Sequence, residues 1–129
     1  MFRKLIISIA AAGTLGLASI GYAIAEPSAE QLVVDVPSHG TRIEIDEDQD
    51  EVYEAVQQGK IQPFSALYAA VESQLNGRVI KVELEEDDDE WIYELKLMHD
   101  NNVIKVEYNA TTLELMELRG RNLNNVIKR

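Results

Sequence analysis

The residues with the most chemical potential are six consecutive acids, Glu85 to Glu90, in the stretch "VELEEDDDEWIYELKL". Carboxylates at that density could ligate calcium, meet a basic partner, or simply keep a hairpin tip wet. A calcium loop places oxygen ligands at alternating positions, with a glycine at its sharp turn and a glutamate at a set distance. Here the acids are consecutive, and in an extended segment half would point away from any one ion. A solvated, aggregation-resistant loop is the preferred reading, ahead of an acidic docking surface and a cation site. His39 and His99 are the only histidines, and neither belongs to an H-E-x-x-H or comparable ligand pattern. The chain has no cysteine, and no serine sits in a G-x-S-x-G context. Trp91 and Tyr93, beside the acids, could form a ligand-contacting patch, but their place in the alternation puts them inward. The sequence therefore offers no catalytic residues, no metal ligands and no cofactor-binding residues.

The elements that position this acidic run begin well inside the chain. Arg3 and Lys4 precede the apolar run "LIISIAAAGTLGLASIGYA", and Ala23-Ile24-Ala25 supplies small residues for signal peptidase. Residues 1–25 are expected to be a signal peptide cleaved after Ala25. The A-x-A site and the abrupt polar sequence beyond it favour removal over a retained anchor. The formal charge of -11, less the two cations Arg3 and Lys4, leaves the mature chain at -13. That surface repels nucleic acid and anionic lipid and favours basic partners or cations. An exported chain without cysteine must hold its fold by packing alone.

Residues 26–49 read as a linker with short extended pieces at 33–36 and 42–45. "DEVYEAVQQG" reads as a short helix from an Asp50 N-cap to Gly59, with Val52, Tyr53 and Val56 on one face. "QPFSALYAAVESQLNG" is the clearest element. Pro63 suits a first helical turn, and Phe64, Leu67, Tyr68, Val71 and Leu75 make a continuous apolar stripe. After Gly77 the period changes to two. "RVIKVELE" places Ile80, Val82 and Leu84 inward; "EWIYELKLM" places Trp91, Tyr93, Leu95 and Leu97 inward; "NVIKVEY" places Ile104, Val106 and Tyr108 inward. Charge matching pairs Leu84 with Trp91 and Lys81 with Glu94 across the first hairpin. A turn at Asn101-Asn102 pairs Leu97 with Val106 and Lys96 with Glu107 across the second. "TTLELMELR" adds a fourth strand, interrupted near Leu115-Met116 by a bulge or a strand end. The fold class is α+β: one main amphipathic helix, preceded by a short one, on a three- to four-stranded antiparallel sheet. The domain spans 50–119, and 120–129 is a basic tail.

"GKIQPFSALYAAVESQLNGRVIKVELEEDDDEWIYELKLM" followed by "NNVIKVEYNATTLELMEL" resembles the PepSY domain over residues 50 to 118. "VEYNATTLE" resembles that family's strand followed by a D-A-x-T-G turn, with Asn109 where Asp is usual and Leu113 where Gly is usual. The resemblance implies a secreted helix-on-sheet module, akin to domains in the propeptides of thermolysin-like metallopeptidases and in bacterial envelope proteins. It implies regulation of a peptidase or sensor, with no catalytic residues and no cofactor to carry over. The expected function is a non-catalytic periplasmic or secreted binding module whose partner is another envelope protein, with neither nucleic acid nor, after signal cleavage, membrane involved. The alternative is a cation or small-ligand sensor using the acidic loop 85–90.

Overall fold

The computed structural model describes residues 28–129. The signal peptide and cleavage site expected in residues 1–25 lie outside the described residues. The elements run α1 (Ala29–Val33), β1 (Arg42–Ile45), α2 (Gln49–Gln57), α3 (Phe64–Gln74), β2 (Arg78–Asp87), β3 (Glu90–His99), β4 (Asn102–Asn109), β5 (Leu115–Arg119) and α4 (Leu123–Val126). The strands form one sheet in the order β1-β2-β3-β4-β5. The α+β class holds. The sheet has five strands, and β1 joins β2 in parallel, so it is mixed where an antiparallel sheet is expected.

The expected apolar stripe of α3 faces the sheet. Phe64, Leu67, Val71 and Leu75 are buried, each contributing about 2 kcal/mol of transfer free energy. Pro63 occupies the N-cap position of α3 and supplies no side-chain bond. That role falls to Asp35, whose carboxylate accepts from the Ser65 N–H at 2.9 Å and the Ser65 hydroxyl at 2.7 Å. An anion there meets the positive end of the helix dipole. In α2 the N-cap is Asp48 rather than Asp50, because the Asp48 side chain accepts from the N–H groups of Asp50 and Glu51. Val52 and Ala55 make its buried face, and Tyr53 is exposed. Gly59 follows with φ of +77°, the left-handed stop that glycine permits.

Inward residues of β3 and β4 are as expected: Trp91, Tyr93, Leu95, Leu97, Ile104, Val106 and Tyr108 are all buried. Ile80 is a correction. A bulge between Val79 and Lys81 resets the alternation, so Val79 packs on the core and Ile80 does not. Both hairpin registers are also corrected, each by two residues. Leu84 pairs with Tyr93 and Lys81 with Lys96; Leu97 pairs with Ile104 and Lys96 with Lys105. The loops are Asp88-Asp89 and Asp100-Asn101, all four with φ between 50° and 67°. Two left-handed residues are what a tight two-residue hairpin requires, and they fix the pairing despite like charges opposite one another. The fourth strand breaks where expected. Its bulge lies at Met116, between Leu115 opposite Tyr108 and Glu117 opposite Glu107.

The segments flanking this unit are packed as well. The expected extended piece at 33–36 is a correction, because fully buried Val33 ends α1 and no strand covers 34–36, whereas that at 42–45 is β1 itself. At the other end, α4 brings Val126 to zero exposure. Ile127 bridges Leu75, and the Val126 carbonyl accepts from the Asn76 N–H at 2.7 Å. Buried residues of all four helices share one cluster with the inward residues of the sheet. The helices therefore cover one face of the sheet and leave the other free of them.

Candidate functional site

The acidic run does not stay extended. Asp88 and Asp89 turn the chain back, Asp87 pairs with Glu90, and alternation sends Glu85 to the open face and Glu86 to the helix side. There Glu86 meets a second acidic segment. The Glu86 N–H donates to the Glu47 carboxylate at 3.3 Å. The carboxylates of Glu47, Glu51 and Glu86 lie within 4.8 Å of one another. Loss of surrounding water, then Glu51, Asp89 and Glu47, raises the Glu86 carboxyl above its ordinary value, and Lys60 opposes them. A cleft of about 220 Å³ at this junction includes Glu51, Glu54, Lys60, Glu86 and Asp89 in its walls. Six acids in 46–54 and six in 85–90 thus gather at one end of the molecule, twelve of the chain's 23. We call this end the acidic pole.

The open sheet face is organised differently. Glu44, Glu83, Glu94, Glu107 and Glu117 are successive cross-strand partners, one from each strand. Two residues along, Arg42, Lys81, Lys96, Lys105 and Arg119 form a parallel row of cations. Like charges face each other across strands, so the attraction runs along and diagonally. Arg42 pairs with Glu44 at 3.3 Å, Lys81 with Glu44 at 3.7 Å, Lys105 with Glu94 at 3.4 Å and Glu107 at 3.8 Å, and Arg119 with Glu117. Glu85 lies beyond the glutamate row without a basic neighbour of its own. Desolvation first, then the charge and hydrogen bond of Glu94, then Glu83 and Glu107, push its carboxyl up to about 7.

Of the remaining candidates, Trp91 shares the wall of the acidic cleft and the others lie elsewhere. Trp91 is 3% exposed and Tyr93 fully buried, with the Tyr93 hydroxyl donating to the Gln62 carbonyl at 2.6 Å. Burial raises the Tyr93 phenol, and that of Tyr108 to about 12, as expected of core tyrosines. His99 sits 3.7 Å from the Asp100 carboxylate at the second hairpin. His39 borders an open groove of about 630 Å³ beside the C-terminal half of α3. Among the described residues, the three groups of carboxylates close enough to share an ion contain neither histidine and none of Asp87 to Glu90. The joining of 46–54 to the hairpin tip is what sequence reasoning misses. The parallel pairing of β1 with β2 brings the segments together, and the one local signal is that both are densely acidic.

The sequence model of the PepSY family, described as "Peptidase propeptide and YPEB domain", matches residues 62–118. The match opens just before α3 and closes within β5, so it takes in the hairpin tip and leaves out α1, β1, α2 and α4. No curated protein and no solved structure matches the chain.

Proposed function

Because residues 62–118 make this chain a member of the PepSY family, we propose that it is a non-catalytic regulatory module, exported to the periplasm or beyond, that docks on a basic surface of another envelope protein such as a peptidase or sensor. The observation that carries this reading is the convergence of two acidic segments into one pole around a single lysine, Lys60. Such a pole draws a basic partner from a distance and selects against acidic ones. Sheet-edge pairing is the weaker route. β1 is four residues long and β5 carries a bulge, and both features blunt an edge. Export follows from the leader expected in 1–25, and among the described residues no helix is long and apolar enough to cross a membrane.

The test is capture from an envelope extract with the native chain and with a pole-neutralised variant, Asp87→Asn, Asp88→Asn, Glu47→Gln and Glu51→Gln. A partner held at low salt, released by about 0.5 M salt and lost with the variant supports the proposal. Identical capture by both chains refutes it. A second reading, a cation sensor at 85–90, is favoured by Glu85 and Glu86, each of which belongs to a carboxylate trio. Calorimetry with calcium and transition-metal ions tests it; binding that survives neutralisation of Glu85 to Glu90 rejects this site.

A further inference from the structure

The two charge rows on the open sheet face suit a second copy of the same chain, and we infer that this face is a self-complementary docking surface. Five of the ten Lys and Arg residues outside the expected leader stand in one row, facing five glutamates in the next. The two rows cancel, so apart from Glu85 and Asp46 beyond the glutamate row this face carries little net charge on a chain whose expected mature charge is -13. It is the place where two copies can approach with least repulsion.

The order of the rows also fixes the orientation. A two-fold axis running between the rows and parallel to them lays each cation row over the partner's glutamate row. A two-fold axis along the strands lays like over like. The first arrangement also carries the two acidic poles to opposite ends, since Asp88 lies beyond the glutamate row; the second puts them side by side. Both considerations select strands running antiparallel across the interface. Outside the rows, half-exposed Val103 and its partner Met98 then come over the partner copy's row that holds Ile92, which adds an apolar margin. Five strands at ~4.8 Å and four side-chain rows at ~6.8 Å give about 650 Å² per copy, or roughly 1,300 Å² in total. That is the low end of the range for a specific interface, as a reversible dimer requires.

Sedimentation of the native chain is expected to show a monomer–dimer equilibrium below about a millimolar that high salt dissociates. A chain carrying Lys81→Glu, Lys96→Glu and Lys105→Glu, and another carrying Glu83→Lys, Glu94→Lys and Glu107→Lys, are each expected to be monomeric alone. Mixed, they form a heterodimer at least tenfold tighter than the native dimer. Circular dichroism melts establish that both fold. If either does not, dilution of the native chain decides by NMR: amide shifts of Glu94 and Lys96 move and those of Asp88 stay. Because the chain has no cysteine, Asp88→Cys takes a single spin label, and the two labels should lie about 40 Å apart, from ~3.4 Å per residue along each strand. A native chain that stays monomeric without dilution shifts, variants that dimerise alone, or labels under about 20 Å apart overturn the inference.

Discussion

Replacing Glu85 by Gln should change how stability depends on pH, and the size of the change follows from the sheet face. The Glu85 carboxyl is raised from 4.5 to about 7, first by desolvation and then by Glu94, with which it shares a hydrogen bond. A group whose folded value is raised contributes stability that is complete below pH 4.5 and is lost as pH rises through 7. The native chain must then expel a proton into a site already facing Glu83, Glu94 and Glu107. Taken undiscounted, that displacement corresponds to about 3 kcal/mol. The carboxylate lies on a half-open face that water and salt screen, so about 1 kcal/mol is the expected share. Glutamine is neutral at every pH, so Glu85→Gln should match the native chain near pH 4.5 and exceed it at pH 8 by about 1 kcal/mol. For a domain of this size that is about 5 °C in Tm. Thermal melts of both chains from pH 4 to 8, at low and at 0.5 M salt, measure it, and salt should shrink the gap. A difference independent of pH, or a variant less stable at pH 8, refutes the reasoning.

Other perturbations probe what holds the fold around these surfaces. Asp35→Ala removes the carboxylate that caps α3 from outside the helix and should cost about 1–2 kcal/mol in urea melts, with Asp35→Asn recovering about half. Val126→Ala empties a fully buried site under the C-terminal segment and should cost about 2 kcal/mol by the same assay; a neutral result would mean that the segment is not docked in solution. Asn109→Ala loses the side-chain oxygen that accepts from the N–H groups of Thr111 and Thr112, at about 1–2 kcal/mol, whereas Asn109→Asp keeps both bonds but turns the amide's donation to the Glu90 carboxylate into repulsion, and should recover about half. Leu113 holds φ of +61°, so Leu113→Val, β-branched in a left-handed position, should cost about 1–2 kcal/mol, while Leu113→Gly trades relieved strain against lost packing and stays within about 0.5 kcal/mol.

Periodicity made the inward residues legible, because parity survives a two-residue slip. Moving a strand by two positions leaves Tyr93, Leu95 and Val106 facing the helices, so the core is right even where the pairing is wrong. Register was not legible, since the expected Asn101-Asn102 turn sets Leu97 opposite Val106, whereas the turn that forms is Asp100-Asn101, with Leu97 opposite Ile104. Cross-strand charge matching favours Lys96 opposite Glu107, yet the observed partner of Lys96 is Lys105. The opposite-position rule counts one neighbour, whereas a side chain on a pleated face also reaches i±2 and the diagonals. Lys105 finds Glu107 along its own strand and Glu94 on the diagonal, and neither contact depends on the residue directly across. The turn at Leu113 shows the same limit on local rules. Leucine keeps a left-handed backbone that ordinarily favours glycine, because the Asn109 carbonyl accepts from the Leu113 N–H at 2.7 Å and the side chain packs on the core.

The candidate site was half legible for a different reason. Composition marks 85–90 as a wet hairpin tip and 46–54 as an acidic stretch, but no local signal says that they touch. Their meeting depends on β1 lying parallel to β2, with Ile45 beside Leu84, so that the chain leaving β1 enters α2 where the hairpin turns. A four-residue strand with only Ile43 and Ile45 to pack cannot announce that pairing. The same parallel strand completes both charge rows, since Arg42 and Glu44 are their first members. One short edge strand thus builds the pole and finishes the near-neutral face. A chain with β1 deleted should therefore bring the Glu86 titration back toward its ordinary value, as water returns and Glu47 and Glu51 leave while Asp89 keeps part of the rise; the response of Glu85 persists through desolvation and through Glu94, Glu83 and Glu107 on the strands that remain. Side-chain carboxyl titration by NMR separates the two, and a Glu86 curve unmoved by the deletion would mean that its neighbours on the hairpin alone set it.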